Sequence, residues 1–166
     1  MTGQRTVEEM TINLEFMFEV RAQIGRPQAI GKSPNGVRTI MPVLGGTVRG
    51  PALNGKILPE AGADWALIRP DGSIVLDVRS VIKADNGDLI YTSYGGRMWA
   101  DTQAGRDLAL DMTKPDPETG KDQYYFRINP VYETGSKTYG WLNNIMAIGT
   151  GQSGASGVVY QVCRVK

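Results

Sequence analysis

The stretch ADWALIRPDGSIVLDVRSVIKADNGDLIYTSYGGR, Ala63 to Arg97, holds three apolar-rich runs. They are separated by Pro70-Asp71-Gly72 and by Asp85-Asn86-Gly87-Asp88. Asp-Gly and Asn-Gly between apolar runs are the strongest short-range hairpin signals, because glycine supplies the positive φ that tight turns need. The stretch therefore predicts three successive antiparallel strands, Ala63–Arg69, Ser73–Lys83 and Leu89–Arg97. Working outward, Leu14 to Val20 alternates with period two, placing Leu14, Phe16, Phe18 and Val20 on one face. Val37 to Val48 reads as a strand bent near Pro42 and Gly45-Gly46, and Tyr124–Val131, Trp141–Gly149 and Gly157–Val165 as three more. Asp101 to Asp111 is the one helix candidate, capped by Asp101 or Thr102. Lys114 to Asp122 reads as a mobile charged loop, and residues 1–11 as a flexible polar arm. Eight or nine strands joined mostly by short turns imply an all-β fold. Of the two architectures open to them, barrel and sandwich, an antiparallel up-and-down β-barrel over residues 12–166 is favoured, because closure removes exposed edges.

Composition narrows the chemistry. The chain has 166 residues, 18 Lys+Arg against 17 Asp+Glu, no histidine, and a single cysteine, Cys163. The absence of histidine removes Ser-His-Asp and Cys-His triads and His-ligated metals. One cysteine removes intrachain disulfides and multi-cysteine metal sites. The near-balanced charge argues against nucleic-acid or membrane-surface partners. No apolar run approaches the ~20 residues of a membrane-spanning helix, and the N-terminus lacks a signal-peptide core, so a cytoplasmic protein is expected. Gly149 to Gly154 fits a dinucleotide loop poorly, since no helix pattern follows it, and reads as a hairpin loop. No cofactor and no metal are expected.

Carboxylates, tyrosines and arginines remain for acid/base work. If Asp71-Gly72 and Asn86-Gly87 are both two-residue turns, Asp64 faces Arg79, and Arg79 faces Tyr94. Asp64, Asp77, Arg79 and Tyr94 then share one surface of three adjacent strands, with Trp65, Leu67, Ile74, Leu76 and Val78 on the other. Two carboxylates, a guanidinium and a phenol form an acid/base and anion-holding set. The same set equally fits a solvated outer face with a surface ion pair. A three-residue loop would slip the pairing by one and scatter it. Tyr125 and Arg127 share a face suited to stacking on an aromatic ligand. Glu133 follows at a barrel rim, and Trp141 and Asn143 open a later strand. Catalytic roles are expected for Asp64, Asp77, Arg79, Tyr94 and Glu133, and substrate contacts for Tyr125, Arg127, Trp141 and Asn143.

Several short motifs in this order resemble one family. Gly50-Pro51, Gly55, Gly62-Ala63-Asp64-Trp65, Asp71-Gly72 and Leu76-Asp77-Val78-Arg79 resemble the first half of domain of unknown function 3237, also called uncharacterised protein family 0311. Tyr125-Phe126-Arg127, Pro130, Tyr132-Glu133-Thr134, Tyr139 and Trp141-Leu142-Asn143 resemble its second half. The resemblance implies a small, commonly self-associating β-barrel and assigns no general activity; a ring-forming or double-bond-addition enzyme would suit it. The leading expectation is a cofactor-free isomerase, cyclase or hydro-lyase acting on a small aromatic or polyketide-like molecule. The alternative is a non-catalytic binding barrel of lipocalin-like (calycin-like) design. A homodimer or higher oligomer is expected, to cover the apolar face of the central hairpin.

Overall fold

The structure is a computed structural model that describes residues 11–114 and 120–166. The expected N-terminal arm, up to residue 10, and residues 115–119 of the expected charged loop lie outside the described residues. Ten strands follow in chain order: β1 (Leu14–Ile24), β2 (Gln28–Ser33), β3 (Gly36–Arg49), β4 (Gly55–Ile57), β5 (Ala63–Ile68), β6 (Ile74–Ala84), β7 (Leu89–Trp99), β8 (Tyr125–Glu133), β9 (Ala147–Gly154) and β10 (Gly157–Val165). One helix, α1 (Gln103–Leu110), lies between β7 and β8. No helix among the described residues is long and apolar enough to cross a membrane.

The strands close on themselves. β1 pairs with β10 on one side and with β3 on the other. β4 and β5 share one place in the ring, both between β3 and β6, so the closed barrel has eight positions. β2 pairs with the start of β3 as a side ribbon. The bend expected in β3 falls at Gly45 and Gly46, both at positive φ. A Cβ on Gly46 would sit 2.0 Å from the Arg21 carbonyl oxygen, so only glycine lets β3 cross β1 this closely.

Both turns of the central stretch hold three residues, not two. Arg69 N–H donates to Ser73 O at 2.8 Å, and Ala84 N–H to Asp88 O at 2.9 Å. Gly72 and Gly87 take the positive-φ position, φ 82° and 92°. Each extra residue slips the pairing by one, so Asp64 faces Val78, and Val78 faces Tyr94. The expected faces are corrected accordingly. Ile74, Leu76 and Val78 are buried on the lumen face of β6, and within the chain they need no cover from a second copy. Asp77 and Arg79 lie on its outer face.

Two further elements differ from expectation. A bulge between Phe16 and Phe18 breaks the alternation of β1. Phe18 is fully buried while Phe16 lies on the outside, and Met17 turns into the core. Trp141 begins no strand: Gly140–Asn144 is a 3-10 turn, and the strand starts at Ala147. The expected hairpin loop at Gly149 to Gly154 is part of β9. Its glycines give room to neighbours; a Cβ on Gly151 would meet the Phe126 ring at 2.8 Å.

The two ends of the barrel are built differently. Where β1, β7 and β9 begin, Met17, Phe18, Val48, Leu53, Ile90 and Leu142 pack at 1 % exposure or less and close the barrel. At the other end lies α1. Thr102 caps it, as expected, by accepting the Gly105 N–H at 3.0 Å. Ser153 Oγ donates to Ala109 O at 2.7 Å, and buried Lys114 donates to Leu108 O, tying the helix C-terminus to β9.

Candidate active site

A cavity of about 110 Å3 occupies the barrel between the closed end and α1. Ala109, Leu110 and Met112 form part of its wall, and most of the remainder is aliphatic or aromatic. The polar lining groups are Asp64, Ser80, Thr92, Ser153 and three tyrosines, Tyr94, Tyr132 and Tyr160. Among the described residues, Asp64 is the one charged side chain on the lining, and none of the lining side chains is a lysine or arginine.

The alternation of the strands puts these groups together. Asp64 of β5, Val78 of β6 and Tyr94 of β7 occupy one row across the sheet, continued by Pro130 of β8. Tyr160 arrives from β10 and meets Tyr94 edge-to-face at 5.7 Å between ring centroids. Their phenol groups act on one another across this contact. Phe126 packs on the other side of Tyr160, centroids 5.5 Å apart, which fixes the orientation of the phenol.

Burial in an apolar wall disfavours the charged carboxylate and pushes Asp64 from 3.8 to about 6. The N–H of Asp77, donating to Asp64 Oδ1 at 3.0 Å, and the nearby Arg38 guanidinium oppose that shift; the Asp77 carboxylate adds to it. Tyr94, Tyr132 and Tyr160 are pushed upward by the same burial and stay neutral hydrogen-bond donors at physiological pH. The site thus joins a carboxyl that both gives and takes a proton near neutrality to phenols able to hold a developing oxyanion.

Of the nine expected site residues, the cavity receives Asp64 and Tyr94. Asp77 and Arg79 form an outer ion pair at 3.3 Å, with the Arg79 guanidinium 5.2 Å from the centre of the Trp65 ring. The expected convergence of the four is corrected: the slipped registers turn β6 over relative to its neighbours. Tyr125 and Arg127 share a face, but it is the outer one: the Arg127 guanidinium lies 4.8 Å from the Tyr125 ring centre, and neither lines the cavity as expected. Glu133 is exposed at the end of β8 and is not a lining residue. Trp141 lies outside the cavity, 6.0 Å from the Arg164 guanidinium. Asn143 binds backbone, accepting the Thr134 N–H at 2.8 Å and donating to Thr134 O at 3.0 Å.

Tyr160 and Tyr132 were missed, although the sequence carries a signal for both. Val158, Tyr160 and Val162 alternate on one face of β10, as do Phe126, Ile128, Pro130 and Tyr132 on β8.

Comparison with known proteins agrees with this architecture. The family model described as "Protein of unknown function (DUF3237)" matches residues 12–165. A UPF0311 protein from Rhodopseudomonas palustris (strain TIE-1) is 34 % identical over 155 residues, covering 93 % of this chain and 97 % of that protein. A solved β-barrel-like protein from Acinetobacter baumannii AYE superimposes with a TM-score of 0.80 at 31 % identity, over 97 % of this chain and all of that one. More distantly, a hydroalkoxylation enzyme from Penicillium herquei is 23 % identical over 138 residues, 83 % of this chain and 73 % of that enzyme. With the barrel, the family match and the extent of the identity in agreement, the chain belongs to the DUF3237 family of proteins of unknown function.

Proposed function

We propose that this barrel is a general acid/base enzyme that adds an O–H group across an activated carbon–carbon double bond, within one small aromatic or polyketide-like molecule. The observation that carries the reading is one carboxyl, Asp64, held near pKa 6 in an apolar cavity beside the Tyr94–Tyr160 phenol pair. In the forward direction the Asp64 carboxylate takes the proton from the attacking hydroxyl. The oxygen forms its new bond to the alkene carbon, and charge moves onto the conjugated carbonyl oxygen, where a phenol hydroxyl donates to it. Asp64, now protonated, returns the proton to the neighbouring carbon. Atoms balance and no redox partner enters. Proton transfer by a placed carboxyl contributes about 10²–10⁴-fold. The relative named as a hydroalkoxylation enzyme supports this reaction class.

The test is turnover of a panel of hydroxyaryl alkenones by the purified protein, followed by chiral chromatography. Rate enhancement that disappears in Asp64→Asn supports the reading. Tight binding of panel members with no turnover by the parent protein ends it in favour of a carrier. The mostly aliphatic wall with a single carboxylate is the observation that favours that second reading.

A further inference from the structure

The wall of the barrel is interrupted beside Asp64. β5 and β6 pair at Ala63–Arg79 and Asp64–Val78, then again at Leu67–Val75 and Ile68–Ile74, in one unbroken register. Between them the rungs Trp65–Asp77 and Ala66–Leu76 are missing. Counting by twos from the bonded pair Arg69–Ser73, Trp65–Asp77 is a position where both backbone hydrogen bonds belong. The bond displaced is the one from the Asp77 N–H to Trp65 O, and each of its two ends takes a side-chain partner. The Asp77 N–H donates to Asp64 Oδ1 at 3.0 Å, and the Arg38 guanidinium donates to Trp65 O. Backbone N–H and C=O groups need partners, so this substitution satisfies both ends of the displaced bond.

Asp64 therefore belongs to two environments. It lines the cavity, and its carboxylate reaches into the wall, where solvent-side groups act on it. The charged and titratable groups around it are Arg38 from β3, Asp77 from β6 with Arg79 attached at 3.3 Å, and the phenols of Tyr94 and Tyr160 from β7 and β10. Arg38 and Asp77 are not lining residues and cannot touch a molecule held in the lumen.

We propose that Arg38 and Asp77 are positioning residues that set the charge state of the lumen carboxylate Asp64 from outside the barrel, through the missing rung between β5 and β6. The two act in opposite senses: the guanidinium favours the carboxylate, and the second carboxylate favours the acid. Substrate meets Asp64 on one side of the wall while its ionisation is governed from the other.

The test follows the Asp64 carboxyl resonance by 13C NMR through a pH titration of the full chain, in the parent and in Arg38→Met, Arg38→Lys and Asp77→Asn. Arg38→Met should raise the midpoint and Asp77→Asn should lower it, each by about half a pH unit or more. Arg38→Lys, which keeps the charge, should stay close to the parent. Unmoved midpoints in folded Arg38→Met and Asp77→Asn, or shifts in one common direction, overturn the proposal. Asp77 is exposed and its backbone bond survives the change to asparagine, so Asp77→Asn decides the matter if Arg38→Met does not fold. For turnover the inference rests on the reading of Asp64 as the proton-transfer group. The acid limb of the pH–rate profile should then move with the NMR midpoint while KM changes less than about twofold. A titration that responds without any turnover would sink the enzyme and leave the coupling standing.

Discussion

Asp64 and Asp77 are a natural experiment in placement. They lie on adjacent strands, and the backbone of one bonds the side chain of the other at 3.0 Å. Asp64 faces the lumen, where burial lifts it to about 6; Asp77 faces out, half-exposed and paired with Arg79. Residue type and neighbourhood are the same, and what differs is which side of a one-residue-thick wall receives the carboxylate. On the proposed reading, placement alone makes one of them a proton-transfer group and the other a surface partner.

The sharpest way to break this comparison is to neutralise each carboxylate. On the proposed reaction Asp64→Asn should lose about 10²–10⁴-fold in turnover, and Asp77→Asn, which acts only through the charge on Asp64, should lose less than about tenfold at pH 7. Steady-state rates check this, and equal losses would end the distinction between inside and outside.

Next in size, the packed end should be far less tolerant than the outer surface. Leu142→Ala, at 0 % exposure, should cost about 2–5 kcal/mol in urea melts.

The stability–pH profile gives a third handle. Folded Asp64 holds its proton up to about pH 6, whereas the unfolded residue loses it near 3.8. The folded state binds the extra proton in that window, so this residue makes stability fall as pH rises from 3.8 to about 6. Asp64→Asn should remove that slope and gain on the order of 2–3 kcal/mol over the parent at pH 7, read from melts at pH 4 and pH 7.

The smallest effect belongs outside. Arg79→Ala breaks a half-exposed pair and should change stability by less than about 1 kcal/mol.

The hairpins, the helix and the barrel were legible because turn chemistry and period-two alternation are local. Loop length was not. Pro70-Asp71-Gly72 fits a two- or a three-residue connection, and side-chain parity depends on which. Both central turns hold the extra residue, and the two slips cancel between β5 and β7 while β6 alone turns over. Asp64 and Tyr94 were therefore correctly placed together for an incomplete reason, and Asp77 and Arg79 were carried away from them. The β1 bulge was hidden for a similar cause. Met17 is apolar, like its neighbours, and nothing in the run of Phe16, Met17 and Phe18 marks which of them is the extra residue. Tyr160 was visible by alternation but lies far along the chain from the hairpins, and only closure of the ring brings β10 across from β7.

β8 and β9 share only two rungs, Arg127–Thr150 and Ile128–Gly149, before they part toward the packed end. The chain between β8 and β9 forms the 3-10 turn, with Leu142 fully buried and Asn143 clipped to Thr134. In hydrogen-exchange terms this is the seam of the barrel, since a ladder of two rungs has few amides that require global unfolding before they exchange. Local opening should begin there, with the amides of Ile128 and Gly149 exchanging ahead of those along β6 and β7. Removing the clasp, in Asn143→Ala, should speed exchange at that seam first.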